Sequence, residues 1–230
     1  MIPQAREVNV TSEDAHKRLV WDTVARSYTD PRTLEILGAV LRDQDVEGRH
    51  AAPLAGAVQR WVQRTVRYCR EAPERICAPW VTVAHGFGDC DDMAVLCASL
   101  LRAARVPCRL AFSGWKPAEW DGLVVPLGHV WSEAWIASDP KTPTAGEWVA
   151  LETVREVPPG WRASEAARAR GLRVRLDTLG DPPGKVTDHE SQLEGIEDGA
   201  RVFPRRQPPS PVGQGRSGGA LLPSRGPLRW

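Results

Sequence analysis

The stretch Gly86-Phe87-Gly88-Asp89-Cys90-Asp91-Asp92, followed directly by the apolar run Met93 to Leu101, constrains this chain more than any other. Two glycines permit a tight turn that a Cβ would hinder. The run behind them places apolar or small residues at Val95, Leu96, Ser99, Leu100 and Ala103 and stops at Val106-Pro107. That spacing predicts a buried helix. Cys90 then falls at or just before the helix N-terminus, where unpaired N–H groups meet the positive end of the helix dipole. Such a place favours the thiolate, the nucleophilic form of cysteine. The same N–H groups are candidates to hold an oxyanion. Cys97, inside the helix, reads instead as a small buried hydrophobe.

A cysteine nucleophile needs a base, and the base needs an orienter. His129-Val130-Trp131-Ser132-Glu133-Ala134-Trp135-Ile136 alternates like a strand. Trp148-Val149-Ala150-Leu151-Glu152-Thr153 reads as its returning neighbour beyond a turn at Asp139-Pro140. Alternation puts His129, Trp131, Glu133 and Trp135 on one face, and Trp148, Ala150 and Glu152 on one face of the second strand. A register with His129 opposite Glu152 lets the carboxylate accept the Nδ1–H and aims Nε2 at the thiol. Taken singly, these residues read as a hydrogen-bonded surface histidine and an exposed carboxylate. Asp139 is a rival orienter, better suited to capping its turn. His16, His50, His85 and His189 fall on polar helices, loops or the tail. Asp89, Asp91 and Asp92 hint at a cation site, but helix-start charges are the plainer account, and no metal is expected.

Composition narrows the class. A chain of 230 residues with a net charge of +1 fits one domain plus appendages, with nothing to suggest nucleic-acid or membrane binding. Five cysteines, without a CxxC pair, argue against structural zinc and against a disulfide framework. A reducing compartment fits them. No apolar signal region opens the sequence, and no stretch approaches the roughly 20 apolar residues of a membrane span. A cytoplasmic protein is expected.

Along the chain, Thr11-Ser12-Glu13-Asp14 starts a helix that runs to about Tyr28, and Asp30-Pro31 starts a second. Pro53 opens a third helix, which ends near Tyr68. Residues 71–85 read as a loop. Cys108 to Phe112 alternates like a strand, and residues 113–127, with Trp115 and Trp120, read as a loop forming one wall of a cleft. Residues 162–180 add a helix and a strand. From about Asp181 the composition turns to Pro, Gly, Arg and Ser, with no acidic residue from Phe203 to Trp230. Such a segment buries too little to order itself. It is expected to extend unless a partner holds it, with Leu221, Leu222 and Trp230 as anchors.

The order Cys at a helix start, His on a strand, then an acid on the next strand resembles the transglutaminase-like superfamily. The resemblance runs from about residue 50 to 162. It rests on Gly88-Asp89-Cys90-Asp91-Asp92, on His129 to Trp135, and on Trp148 to Glu152, with Trp61 to Tyr68 and Ala78-Pro79-Trp80 similar to small bacterial and tailed-phage members. It implies an α+β, papain-like core: N-terminal helices over residues 1–50, then a catalytic core over 51–162 whose Cys-bearing central helix packs on a small antiparallel sheet. Appended elements over 163–180 and a tail over 181–230 follow. It implies Cys90 as nucleophile, His129 as base and Glu152 as orienter, with no cofactor. Trp80, Asp91 and Trp131 are candidate substrate or oxyanion contacts, although Trp80 suits packing equally well. The family usually carries Asp where this chain has Glu152, one methylene longer.

Acyl transfer or hydrolysis on a protein or peptide amide, through a thioester, is the activity implied. Two other readings stand beside it. One is a weakly active or non-catalytic assembly component, for example of a tailed-phage particle, whose tail binds a partner. The other is a peptidoglycan-directed cysteine peptidase or amidase.

Overall fold

The computed structural model describes residues 12–44, 50–70 and 75–187. Ser12 caps α1 (Glu13–Ser27), its hydroxyl accepting the Ala15 N–H. Asp30 caps α2 (Pro31–Asp43), with proline at the start of the helix. α3 (Ala51–Thr65) begins ahead of Pro53 and stops short of Tyr68, because Val66 turns extended and Arg67–Tyr68 forms the short strand β1. Residues 71–85 are not a loop throughout. Pro79 opens α4 (Pro79–His85), and Gly86, at φ 70°, closes it in the left-handed region. β2 (Phe87–Gly88) then pairs in parallel with β1.

α5 (Cys90–Ala103) is the centre of the molecule. Every residue from Asp91 to Arg102 is buried, as expected of a helix apolar on nearly all sides. Helices α1 to α4 pack around it. Val20, Trp21, Val24, Leu37, Val40, Leu54, Val58 and Val62 share one core cluster with Leu96, Leu100 and Leu101. The helices of the 1–50 segment are therefore part of the core. Truncating one such leucine to alanine costs about 2–5 kcal/mol.

β3 (Cys108–Lys116), β4 (His129–Ala137), β5 (Gly146–Leu151) and β6 (Arg173–Gly180) form an antiparallel sheet in the order β5-β4-β3-β6. One face, with Leu110, Phe112, Val130, Ala134 and Leu151, packs into the cluster around α5. The other, with Ala111, Trp131 and Ala150, is covered by Trp161 and by Ala163 at the start of α6 (Ala163–Ala169). The middle of β4 is thus buried on both sides. This accommodates Glu133 only because Arg109 and Arg162 reach its two oxygens, Arg109 Nε at 2.8 Å and Arg162 Nε at 3.3 Å.

The elements over 163–180 add to the sheet: β6 pairs with β3 from Arg109–Gly180 to Lys116–Arg173 and is a full edge of it. The residues just after β6 are tied back to the core. Buried Asp181 accepts the Cys108 N–H at 3.2 Å, and the Thr187 N–H and hydroxyl at 3.0 and 2.8 Å. It also faces Arg102 at 3.5 Å, whose guanidinium lies over the Trp21 and Tyr28 rings. Residues 188–230, including His189 and the anchors Leu221, Leu222 and Trp230, lie outside the described residues, as does Thr11. No helix among the described residues is long and apolar enough to cross a membrane.

Candidate active site

The turn before α5 is built by its three carboxylates. Asp89 is the N-cap, and its Oδ1 accepts the Asp91 and Asp92 N–H groups at 3.0 and 3.3 Å. Those two amides, expected to be candidates for an oxyanion, are therefore already engaged. Asp92 Oδ1 turns back to accept the Cys77 N–H at 2.7 Å. That path leaves no room for a side chain at Gly88, where a Cβ would lie 2.7 Å from Asp92 Cβ. Asp91, also buried, holds His16 Nε2 at 2.7 Å from its Oδ2. Each carboxylate is committed to the turn or to α1, and the described residues contain no group of three metal-ligating side chains. Cys90, half-buried, is the first residue of α5, at the positive end of the helix dipole.

His129 opens β4, and Glu152 follows the last residue of β5. Their side chains meet, with His129 Nε2 2.7 Å from Glu152 Oε2. The register differs from the one expected. The last ladder pair is Ser132–Leu151, so Glu152 comes level with Trp131, and His129 is its diagonal neighbour. The ring nitrogen differs too. The carboxylate reaches the outer Nε2 rather than Nδ1, and the methylene by which Glu exceeds Asp suits that longer reach. An ionised carboxylate only accepts, so Nε2 carries the proton and Nδ1 is left as the basic nitrogen of the neutral ring.

Glu152 is held more firmly than a lone carboxylate. Its side chain is 1 % exposed, and Oε1 accepts the Val154 N–H at 3.0 Å. Its carbonyl accepts from Gln59 at 2.8 Å and Gln63 at 2.9 Å. These two glutamines, one turn apart on α3, were not singled out from the sequence. A buried glutamine on an otherwise apolar helix face was the available signal.

Two hydrogen bonds give the direction of α5 over the sheet. The Ser132 hydroxyl donates to the Ala94 carbonyl at 3.0 Å, and the Cys108 thiol to the Ala98 carbonyl at 3.5 Å. Cys108 is the ladder partner of Ala134. Going from Ala98 to Ala94 along the helix is therefore going from Ala134 to Ser132 along β4. Four residues of helix advance about 6 Å, and two of strand nearly the same. One more such step brings Cys90 level with Val130, the residue that follows His129 in β4.

The remaining candidates fall differently. Trp131 is wholly buried in the second core cluster and offers no surface to a substrate. Trp80 is half-buried on α4, with the Arg32 guanidinium 3.6 Å over its ring. Asp139 caps its turn, accepting the Lys141 N–H at 2.8 Å. Trp115 lies on β3 rather than in a loop, is partly exposed, and meets His129 edge-on with ring centroids 6.1 Å apart. Tyr68, not noticed in the sequence as a site residue, is brought beside Gly88 by the β1–β2 pairing. Burial raises its phenol, and the Cys90 sulfur and Asp89 carboxyl raise it further.

A family model described as the transglutaminase-like superfamily matches residues 41–153. Two solved structures are similar at low identity. One, a "putative cysteine protease from Cytophaga hutchinsonii", is 18 % identical with a TM-score of 0.40, over 70 % of this chain and 53 % of that one. The other, a "putative protease from Parabacteroides distasonis", is 14 % identical with a TM-score of 0.39, over 60 % of this chain and 31 % of that one. The present chain thus spans about half and about a third of their lengths. Comparison with curated proteins gives no match. Residues 41–153 are a transglutaminase-like superfamily domain.

Proposed function

We propose that this domain is a cysteine-dependent acyl transferase or hydrolase acting on protein or peptide amides. The observation that carries the reading is the His129–Glu152 hydrogen bond, anchored on a buried carboxylate that also accepts the Val154 N–H and whose backbone carbonyl is held by Gln59 and Gln63. The Cys90 thiolate attacks the amide carbonyl carbon, and the C–N bond breaks as imidazolium His129 gives its proton to the departing amine. This leaves a thioester on Cys90 and neutral His129. Water or a second amine then attacks the thioester, His129 Nδ1 takes its proton, and the thiolate leaves. The products are an acid or a new amide, with the free enzyme restored. Glu152 holds the ring in the tautomer that leaves Nδ1 basic and stabilises the imidazolium. No step requires a cofactor.

The test is to incubate the protein with casein and a fluorescent primary amine. Amine incorporation, ammonia release and peptide cleavage are followed, with cell-wall stem peptides as a parallel substrate. Turnover that is lost in Cys90→Ala and His129→Ala is expected. The substrate arm that responds separates cross-linking, deamidation and wall-directed hydrolysis. Product formation equal in the wild type and Cys90→Ala overturns the reading.

A further inference from the structure

The first turn of α1 touches both halves of the proposed site, although nothing in its sequence marks it as functional. His16 Nε2 meets Asp91 Oδ2 at 2.7 Å, one residue from Cys90. Three positions earlier, Glu13 Oε1 accepts the Leu127 N–H at 3.0 Å, two residues before His129. Both residues project from the same helical turn, where positions three apart share a face. The turn is itself tied to the edge of the sheet. Glu13 Oε2 accepts from Arg175 Nη1 at 2.7 Å, and Lys17 donates to Asp177 at 3.0 Å.

We propose that this turn is a positioning clamp for the nucleophile and its base. His16 fixes the Cys90 turn through Asp91, and Glu13 fixes the approach to His129 through Leu127. The proposal rests on the Cys90–His129 reading above. Cys90 and His129 come from a helix and from a strand preceded by a long loop, and no backbone pairing joins the two segments directly. α1 bridges them by side chains. The His16 arm has an electrostatic consequence as well. A buried carboxylate one residue from the sulfur opposes negative charge on it, and a donor on that carboxylate disperses the opposing charge. Neither His16 nor Glu13 touches the reacting atoms, so both are positioning residues.

The test reads Cys90 alkylation by iodoacetamide, resolved by peptide mass spectrometry at a temperature well below every variant's melting point, with Cys69 as internal standard. His16→Ala is expected to slow Cys90 labelling about tenfold or more, since misplacement by about 1 Å costs on the order of a hundredfold. His16→Gln, whose amide N–H can still donate to Asp91, is expected to recover most of that loss. His16→Phe, which fills the space without a donor, is not. Glu13→Ala is expected to slow Cys90 without altering Cys69. Cys90 labelling that follows only the melting temperature, with Gln and Phe equivalent, overturns the clamp. So does wild-type labelling in His16→Ala when His129→Ala is slow, and that outcome leaves the Cys90–His129 reading intact. Labelling indifferent to His129→Ala overturns both.

Discussion

Glu152 Oε2 lies 2.7 Å from His129 Nε2, although the two residues stand diagonally across the β4–β5 edge rather than opposite one another. Reach therefore matters at this position, and it gives the glutamate a physical purpose.

Glu152→Asp is the sharpest substitution to make there. It installs the residue usual in the family on a register that Glu fits, and the shorter side chain draws back from Nε2. Cys90 reactivity is expected to fall by about ten- to a hundredfold, while the fold stays intact by circular dichroism. Glu152→Ala is expected to cost about 1–3 kcal/mol of stability as well, because it leaves the Val154 N–H without that acceptor. Denaturant unfolding reads that loss.

Gly88 is required by the path of Asp92. In Gly88→Ala the new methyl meets Asp92 Cβ at 2.7 Å and Oδ2 at 3.0 Å. Asp92 must then shift off the Cys77 N–H. A loss of about 1–3 kcal/mol is expected by analogy with overpacked cores. It should be accompanied by faster amide exchange at Cys77 than at residues in the middle of α5.

Arg102 closes the end of the core opposite the site. Its side chain is fully buried between Trp21, Tyr28 and Asp181. Removing one partner of a buried pair strands the other charge, so Arg102→Ala is expected to cost about 3–5 kcal/mol. The same change should expose residues 181–187 to proteolysis, because the Arg102 guanidinium also donates to the Thr187 carbonyl.

The docking of α1 is expected to depend on pH at both extremes. The Leu127 N–H bond, outweighing burial, and the Arg175 guanidinium hold Glu13 below its ordinary value. Burial pushes Asp177 up, but the Lys17 ammonium and the Arg175 guanidinium, by their bonds and charges together, more than reverse this. Both groups titrate lower in the folded state. Their contribution is complete above the ordinary carboxylate range of about pH 4 and is lost as pH falls through the lower folded values. Lys17 has the opposite sign. It is raised by its bonds to Asp14 and Asp177 against burial, so its contribution is present below about pH 10 and is lost as pH rises further. Hydrogen-exchange protection of α1 should fall in acid before that of α5.

Local rules were enough to read much of this architecture from the chain. Ser12, Asp30 and Pro31 announce helix starts by capping chemistry that acts within one turn. The apolar run after Cys90 announces the central helix by its period. The β4–β5 hairpin was legible by alternation, which put His129 and Glu152 on facing strands. The register was not, because it is decided where β5 ends, at Leu151, and by how far a glutamate reaches. α4 was hidden by Val81, Thr82 and Val83, β-branched residues that argue against a helix unless the Pro79 and Gly86 brackets are weighed. β6 was visible as a strand, but its place beside β3 depends on pairing across more than fifty residues. The same distance hid His16, whose partner Asp91 lies 75 positions away.

The central claim is that Cys90 and His129 act as one unit. The most direct measurement is the pH dependence of Cys90 alkylation by iodoacetamide, resolved by peptide, in the wild type and in His129→Ala. Cys97 and Cys108 should stay unlabelled in the folded protein. Burial pushes Cys97 up to about 12 and raises Cys108 well above its usual range. Exposed Cys69 serves as an internal reference for alkylation in the same sample. The account predicts fast Cys90 labelling well below pH 8, slowed in His129→Ala while Cys69 is unchanged. Cys90 labelling with a midpoint near the ordinary thiol value of about 8.5 in both the wild type and His129→Ala would contradict it.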